Sequence, residues 1–182
     1  YPVAYILARM RSRWALLLLA AIIAASFITI VIKVLGLIII FSSGGTLNRL
    51  LVGSGLLERP LSIVGRPGGV VVGLMHFTMG FAVLLLYGVI RTIPRSLEEA
   101  AEIHGASRWR VFQRVVLPLS LPGIVVTALI VFNLCMGAFT SAALIGGGKV
   151  FTLPVLIQQT VIMQTRYGMG ATISAVLMAA TL

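Results

Sequence analysis

The sequence has no aspartate and only four glutamates among its 182 residues. Charged residues of both signs make up 10% of the chain, whereas soluble globular domains carry about 25%. So few charges cannot cover a water-facing surface, and 59% of the residues are hydrophobic. The class of soluble globular proteins is therefore excluded, and we predict an integral membrane protein. Its net charge of +10 is interpreted as setting topology, so no nucleic-acid partner is expected.

Cysteine and histidine are also scarce. The single cysteine, Cys135, lies in an apolar run, which excludes a disulfide within the chain and a multi-cysteine metal site. With it, the two histidines, His76 and His104, supply neither a nucleophile–base pair nor a set of metal ligands. We therefore predict no catalytic residue, no metal site and no membrane-embedded enzyme.

Long apolar runs are abundant. A membrane-spanning helix needs about 20 mostly apolar residues. The runs predict spans at 14–32, 68–90 and 119–141, and a fourth at 168–182 that is cut by the end of the chain. Residues Tyr1 to Ala8 are interpreted as the end of an earlier helix, so we expect a piece of a longer protein, incomplete at both ends. The predicted fold class is an all-α integral membrane protein, a multi-span helical bundle.

The basic residues are unevenly distributed over the loops. Eight lie before the first span or between the second and third: Arg9, Arg11, Arg13, Arg91, Arg95, Arg108, Arg110 and Arg114. Five lie in the other loops: Arg49, Arg59, Arg66, Lys149 and Arg166. Cytoplasmic loops of membrane proteins carry the excess of Lys and Arg. The segment between the second and third spans is therefore predicted to be cytoplasmic.

This segment, residues 94–118, holds three of the four glutamates: Glu98, Glu99 and Glu102. Ser96 and Glu99 have the spacing of a capping box, which predicts a helix starting at Leu97. Gly105 is suited to the left-handed residue that closes such a helix.

A second short helix is predicted over residues 108–116 and is ended by Pro118. Trp109, Phe112 and Val116 share one face of it at helical spacing. Two interpretations of the segment stay open on these grounds. It is either a solvated connector between two spans or a docking surface, the latter favoured by two large aromatic side chains near water.

The segment resembles the EAA loop of ABC importer permeases. That pattern is EAA, three residues, Gly, nine residues, Ile, one residue and Leu-Pro. Here Glu99-Ala100-Ala101, Gly105, Val115 and Leu117-Pro118 occupy these places, with Val115 as the only change. Residues 45–61, 117–132 and 136–147 are similar to the polyamine-type branch of the family, and the resemblance covers nearly the whole chain.

The resemblance implies a single transmembrane permease domain over residues 1–182, with about six spans in the full protein. Residues 94–118, here called the coupling loop, would dock on a separate cytoplasmic ATPase. It implies that the docking residues are Glu98, Glu99, Ala100, Ala101, Glu102, Gly105, Trp109, Leu117 and Pro118. The implied partners are two ATPase subunits, a second permease subunit (identical or related), a periplasmic substrate-binding protein and membrane lipid, in a bacterial inner membrane.

No cofactor is expected on this chain, because ATP and Mg²⁺ would bind the partner ATPase. Gly146-Gly147-Gly148-Lys149 does not match a phosphate-binding loop, since Ala143 and Val150 stand where Gly and Ser or Thr are required. An external flexible turn is the preferred interpretation of this stretch.

Five residues are candidates for lining a transport pathway: Asn133, Phe139, Thr140, Ser141 and His76. Packing or core hydrogen bonding is an equal alternative for them. The resemblance favours a polyamine or similar small organic solute. A cation is expected to need carboxylates along its path, however, and Glu58 is the only acid outside the coupling loop.

Other transport or binding roles are the alternatives. A stand-alone secondary transporter or channel normally carries ionisable residues in its spans, and here only Lys33 and His76 qualify. A receptor or scaffold subunit is the weaker option. Only the importer interpretation requires an ATPase partner, so copurification separates it from the others.

Overall fold

A computed structural model describes residues 1–182 and shows a helical chain without β-strands. Its α-helices are α1 Pro2–Arg9, α2 Arg13–Phe27, α3 Ile30–Phe41, α4 Thr46–Gly53, α5 Pro67–Thr92, α6 Arg95–Ile103, α7 Arg108–Val111, α8 Leu117–Met136, α9 Phe139–Gly146, α10 Leu153–Gln158 and α11 Tyr167–Thr181. Two π-helical turns, Phe112–Val116 and Gln159–Met163, continue α7 and α10.

The chain forms two compact units, each made of two stretches that are distant in sequence. One combines Tyr1–Phe27 with Met79–Phe132, and the other combines Ile28–Thr78 with Asn133–Leu182. The core of the first is built on Ala4, Ala8, Leu86 and Ile90. The core of the second is built on Val70, Ala142 and Val155. The coupling loop lies wholly in the first unit, and the predicted single permease domain stays a prediction.

Three helical segments are long and apolar enough to cross a membrane: Ile30–Gly53, Pro67–Thr92 and Arg108–Met136. The second confirms the span predicted at 68–90. The predicted start of a fourth span at 168–182 coincides with α11, which is apolar and 15 residues long. The chain is all-helical and has several apolar helices, so the predicted fold class is confirmed.

The first predicted span, 14–32, is wrong in its extent. Helix α2 ends at Phe27 and a separate helix, α3, begins at Ile30. Near the break the Ser26 hydroxyl donates to the Ile22 carbonyl at 2.7 Å, a back-bond that bends helices. The run of apolar side chains continues through the break, so hydropathy carries no sign of it.

The third predicted span, 119–141, is wrong at both ends. The chain is helical from Arg108 through Met136, so Pro118 does not end a helix. It is the second residue of α8 and directly follows the π turn, a kind of irregularity that occurs inside α-helices. The preceding π turn closes with the Leu117 amide on the Phe112 carbonyl. At the other end, Gly137 and Ala138 separate α8 from α9.

The loops contain more helix than the sequence patterns indicate. Helix α4 lies between the first and second predicted spans, where a loop was expected. Helix α10 and its π turn lie in the stretch 146–167, which was predicted to be a loop. Gly147 and Gly148 have positive φ angles of 54° and 71°, so they form a turn after α9.

A buried asparagine holds the segment around α4 together. Asn48 is 2% exposed, and its amide nitrogen donates to the carbonyls of Ser42 and Leu61 at 2.8 and 3.0 Å. Its amide oxygen accepts from the Leu61 N–H at 2.7 Å. These bonds join the turn before α4 to the stretch after it. One buried side chain thus satisfies backbone groups that have no partner in a regular helix or sheet.

We expect Asn48→Ala to loosen the loop between α3 and α5. The change leaves buried backbone groups unpaired, which costs about 1–3 kcal/mol per site. Limited proteolysis of the protein in detergent should then show faster cleavage within residues 42–66. Asn133→Ala is the matched control, because Asn133 is exposed and makes one side-chain bond, to the Thr181 carbonyl. Equal cleavage rates in the two variants would contradict the role of Asn48.

Candidate functional site

The first helix of the coupling loop, α6, starts earlier than predicted. It begins at Arg95, with Pro94 as the N-cap residue and no side-chain capping bond. The predicted capping box of Ser96 and Glu99 is therefore wrong. Pro94 is extended, with φ −60° and ψ 132°, and its carbonyl accepts from the Leu97 N–H at 3.3 Å. This places Ser96 inside the first turn, where its hydroxyl is not positioned to cap.

The end of α6 is a glycine-dependent turn. The Gly105 N–H bonds the Glu102 carbonyl at 2.9 Å, and the Ala106 N–H bonds the Ala101 carbonyl at 3.1 Å. This pair of bonds is the Schellman arrangement, which requires a left-handed residue after the helix. Gly105 supplies it with φ +82°, so the prediction for Gly105 is confirmed. A side chain at this position would meet open space, so only the backbone demands glycine.

The second half of the coupling loop carries an aromatic cluster. Trp109 stacks on Phe112 with ring centroids 5.4 Å apart, as their shared helix face predicts. Phe112 makes edge contacts with Tyr1 and Tyr5 of α1 at 5.7 and 5.5 Å. Trp109 remains 66% exposed at the outer side of the cluster. Phe112 thus packs inside the unit, whereas Trp109 presents a large ring to the outside.

Glu98 is engaged within the chain. Its carboxylate forms an ion pair with the Arg9 guanidinium and accepts a hydrogen bond from the Tyr5 hydroxyl at 3.2 Å. The side chains of Arg9 and Glu98 are only 14% and 15% exposed, so salt screens their attraction less than it would at the surface. The predicted contact of Glu98 with an ATPase stays a prediction.

Two arginines link α1 and the coupling loop in opposite directions. Arg9, the last residue of α1, donates from both terminal nitrogens to the Ile93 carbonyl just after α5, at 3.3 Å each. Arg95, the first residue of α6, donates to the Arg9 carbonyl at 2.7 Å and to the Ala8 carbonyl at 3.3 Å. Carbonyls at a helix C-terminus lack intrahelical partners and carry partial negative charge. Each arginine therefore stabilises the C-terminal end of the helix on the other side.

A groove of about 730 Å³ lies between α1 and the coupling loop. All three loop glutamates line it, together with Arg9, Arg95, Arg108 and Trp109. Glu99 and Glu102 are exposed, in contrast to Glu98. The structure thus brings the predicted acidic residues to one surface and leaves two of them available to solvent.

The remaining predicted docking residues differ in exposure. Ala100 and Pro118 are exposed, whereas Ala101 and Leu117 are half-buried. Leu117 and Pro118 lie in the first turn of α8, continuous with the helix that carries Trp109. The accessible part of the predicted docking surface is therefore formed by α6 with Trp109 and Pro118.

The predicted pathway residues all lie in the second unit. Ser141 is fully buried, and a side chain on Gly73 of α5 would come within 2.7 Å of its hydroxyl oxygen. Phe139 packs against the core of that unit, and Thr140 is half-buried. His76 and Asn133 are exposed. Only Ser141 is closed off completely in this arrangement, and a pathway role for the five stays a prediction.

Sequence patterns did not single out Tyr5, Arg9 or Arg95 as site residues. Arg9 and Arg95 were counted only for topology, although Arg9 is the last residue of α1, where basic residues stabilise a C-terminus. The partner of Tyr5, Glu98, lies 93 residues away in the sequence. The only local signal was the concentration of acids in a chain nearly free of them.

Residues 1–182 match the family described as binding-protein-dependent transport system inner membrane component. The chain is 31% identical over 174 residues to the spermidine/putrescine transport system permease protein PotB of Haemophilus influenzae, covering 96% of this chain and 61% of that protein. It is 36% identical over 149 residues to PotB of Escherichia coli K12, covering 82% of this chain and 54% of that protein. It therefore spans little more than half the length of these relatives.

A solved structure shares the fold. It is a bacterial ABC transporter involved in the import of the acidic polysaccharide alginate, and it superimposes with a TM-score of 0.81. The match covers 98% of this chain and 65% of that one, at 20% sequence identity. At this identity the likeness supports the fold alone.

We expect Gly105→Val to distort the turn after α6, because a left-handed conformation costs an ordinary residue about 1–2 kcal/mol and a β-branched one more. Gly105→Asn is the matched control, since asparagine tolerates this conformation and the site has room for a side chain. Cysteine accessibility at an introduced Glu102→Cys, measured in a Cys135→Ser background, should change with valine and not with asparagine. The same labelling rate in both variants would show that the turn does not depend on glycine.

Proposed function

This chain belongs to the family of binding-protein-dependent transport system inner membrane components, and we propose that it is the membrane permease part of an ATP-binding-cassette importer. In the complete protein it would form the translocation pathway for a small organic solute. The solute would be delivered by a periplasmic substrate-binding protein, and transport would be coupled through residues 96–118 to a separate ATPase. The family consists of inner membrane transport components, and three apolar helices of spanning length accord with that location.

The observation that carries the proposal is the shape of the coupling loop. It presents an exposed acidic helix, α6, that ends in a sharp glycine turn. From Arg108 onward the chain stays helical through a π turn and Pro118 into α8 and reaches Met136. The proposed docking surface would thus be joined by helical chain to a segment long enough to cross the membrane, through which its movement would pass into the bilayer.

The surface also suits a basic partner. Glu99 and Glu102 are exposed on α6, and the Trp109 ring lies at the same groove. Arginine or lysine side chains on an ATPase would meet carboxylates and an aromatic face, which fixes register and partner choice. We propose that Glu99, Ala100, Ala101, Glu102 and Trp109 make this contact. ATP and Mg²⁺ would bind the ATPase and not this chain.

We further propose that two ATPase subunits and a second permease subunit, related or identical, complete the assembly in the lipid bilayer. Closure of the ATPase pair would move the two coupling loops together, and rigid-body motion of the spans would open the pathway to the other side. His76 and Asn133 are the exposed pathway candidates. Phe139, Thr140 and Ser141 would contribute only after α9 moves from the core.

A polyamine is the proposed solute, because the two curated relatives above are described as spermidine/putrescine permeases. The chain offers one carboxylate outside the coupling loop, Glu58, which is exposed in the segment after α4. A polycation would therefore meet almost no countercharge from this chain. We propose that selection for the amine lies mainly with the binding protein and that this chain passes the solute without strong binding.

The first test is a mild-detergent pull-down of the tagged full-length protein, with its companions identified by mass, and uptake of labelled spermidine in cells. We expect recovery of an ATPase and a second permease, and ATP-dependent uptake. Glu99→Lys combined with Glu102→Lys should lower ATPase recovery about tenfold or more, since like charges replace complementary ones. Glu58→Lys is the matched control, because it reverses an exposed acid outside the coupling loop and should leave recovery unchanged.

Two outcomes would contradict the proposal. If the intact protein is recovered alone and still transports, it is a self-sufficient carrier and the coupling loop is a connector. If an ATPase is recovered but uptake of spermidine equals that of cells lacking the protein, the importer assignment stands and the polyamine assignment is wrong.

A further inference from the structure

The contacts of Glu98 separate it from the other two acids of the coupling loop. Glu98 is 15% exposed and faces α1, where it meets Arg9 and the Tyr5 hydroxyl. Glu99 and Glu102 are exposed and meet no basic side chain of this chain within ion-pair distance. A carboxylate that is already paired and largely shielded is poorly placed to bind a second protein.

The ion pair belongs to a continuous set of contacts along α1. At the start of α1 the Tyr1 hydroxyl shares a hydrogen bond with the fully buried Ser120 hydroxyl of α8, at 2.8 Å. In the middle of α1, Tyr5 contacts both Glu98 and the ring of Phe112. At its end Arg9 binds Glu98. Helix α1 is therefore in contact with the coupling loop or the start of α8 along its whole length.

Arg9 and Arg95 add charge-assisted hydrogen bonds that run both ways between the end of α1 and residues 93–95. Each guanidinium is bound to backbone carbonyls of the opposite segment, so neither α1 nor the start of α6 can tilt without breaking charge-assisted bonds. Helix α1 also has an apolar interface, in which Ala4 and Ala8 are fully buried against Leu86 and Ile90 of α5. Small residues at this interface let the helices approach closely.

We propose that Arg9, Glu98 and Arg95 are positioning residues that lock the coupling loop to α1, so that the two move as one lever. This inference rests on the proposed function. A push on α6 by an ATPase would then be transmitted along two routes: through α7 into α8, and through the ion pair into α1. Glu98 would act on transport through Arg9 and would not contribute to ATPase binding.

The test uses the full-length protein in its complex with ATPase and binding protein. Glu98→Gln should leave membrane insertion and ATPase recovery unchanged, while uptake falls about tenfold. This fall is smaller than loss of a fully buried ion pair would cause, because the pair is partly exposed. ATP hydrolysis should lose its stimulation by loaded binding protein. Arg11→Gln is the matched control, because Arg11 is an exposed arginine two residues after Arg9. Its uptake should equal that of the unmodified protein.

A charge swap and a crosslink distinguish a lever from simple loss of stability. Arg9→Glu with Glu98→Arg should restore only part of the uptake that either single change removes, because the swap regains the ion pair and loses the bonds from Arg9 to the Ile93 carbonyl. In a Cys135→Ser background, Arg9→Cys with Glu98→Cys should transport poorly until a short bifunctional maleimide joins the two thiols, and should then recover. Recovery is expected only if α1 and the coupling loop stay together throughout the transport cycle.

Three results would overturn the inference. The first is unchanged uptake in Glu98→Gln. The second is loss of ATPase recovery in that variant, which would make Glu98 a docking residue. The third is crosslinking that fails to raise uptake, which would mean that α1 and the coupling loop must separate. Failure of the unmodified protein to recover any ATPase would instead remove the proposed function, so the two failures are distinguishable.

Discussion

The ion pair of Arg9 and Glu98 is the interaction on which the arrangement of the candidate site depends. It joins the end of one helix to a loop that is remote in sequence, in a chain with only four carboxylates. Burying one of these carboxylates costs desolvation free energy unless its partner and further hydrogen bonds compensate for the lost hydration. The Tyr5 hydroxyl and the bonds from Arg9 to the Ile93 carbonyl supply part of that compensation, although Arg9 Nε has no hydrogen-bond partner. The other two loop acids are thereby left exposed on a surface of fixed orientation.

A second constraint is that an apolar helix must satisfy its own backbone. Pro118 removes a donor at the junction of the coupling loop and α8, and the π turn before it absorbs the change without ending the helix. The same rule explains Asn48, whose side chain pairs backbone groups in the loop around α4. Both devices keep irregular segments attached to helices.

Features of this chain that depend on local signals in the sequence were predicted correctly, whereas several that depend on other contacts were not. The span at 68–90 and the turn at Gly105 were predicted well, because each depends on a continuous run or on one residue's backbone preference. The predicted capping box at Ser96 is wrong, since the helix starts two residues earlier than predicted, at Arg95. The breaks after Phe27 and Met136 were missed because the apolar pattern continues across them. Ser141, a pathway candidate by composition, is buried in the core of its unit.

By itself the sequence determined that this is an all-helical membrane chain with one acidic, glycine-closed loop and the motif of importer permeases. These properties follow from composition, run length and local spacing, which the sequence displays directly. Only the tertiary structure decided which acid is exposed and which is paired. Arg9 and Ile93 stand 84 residues apart, and Tyr5 and Glu98 stand 93 apart, so their meeting depends on how α1 packs against α5 and the coupling loop. No local pattern encodes that packing, because it arises from close contact of small side chains on separate helices.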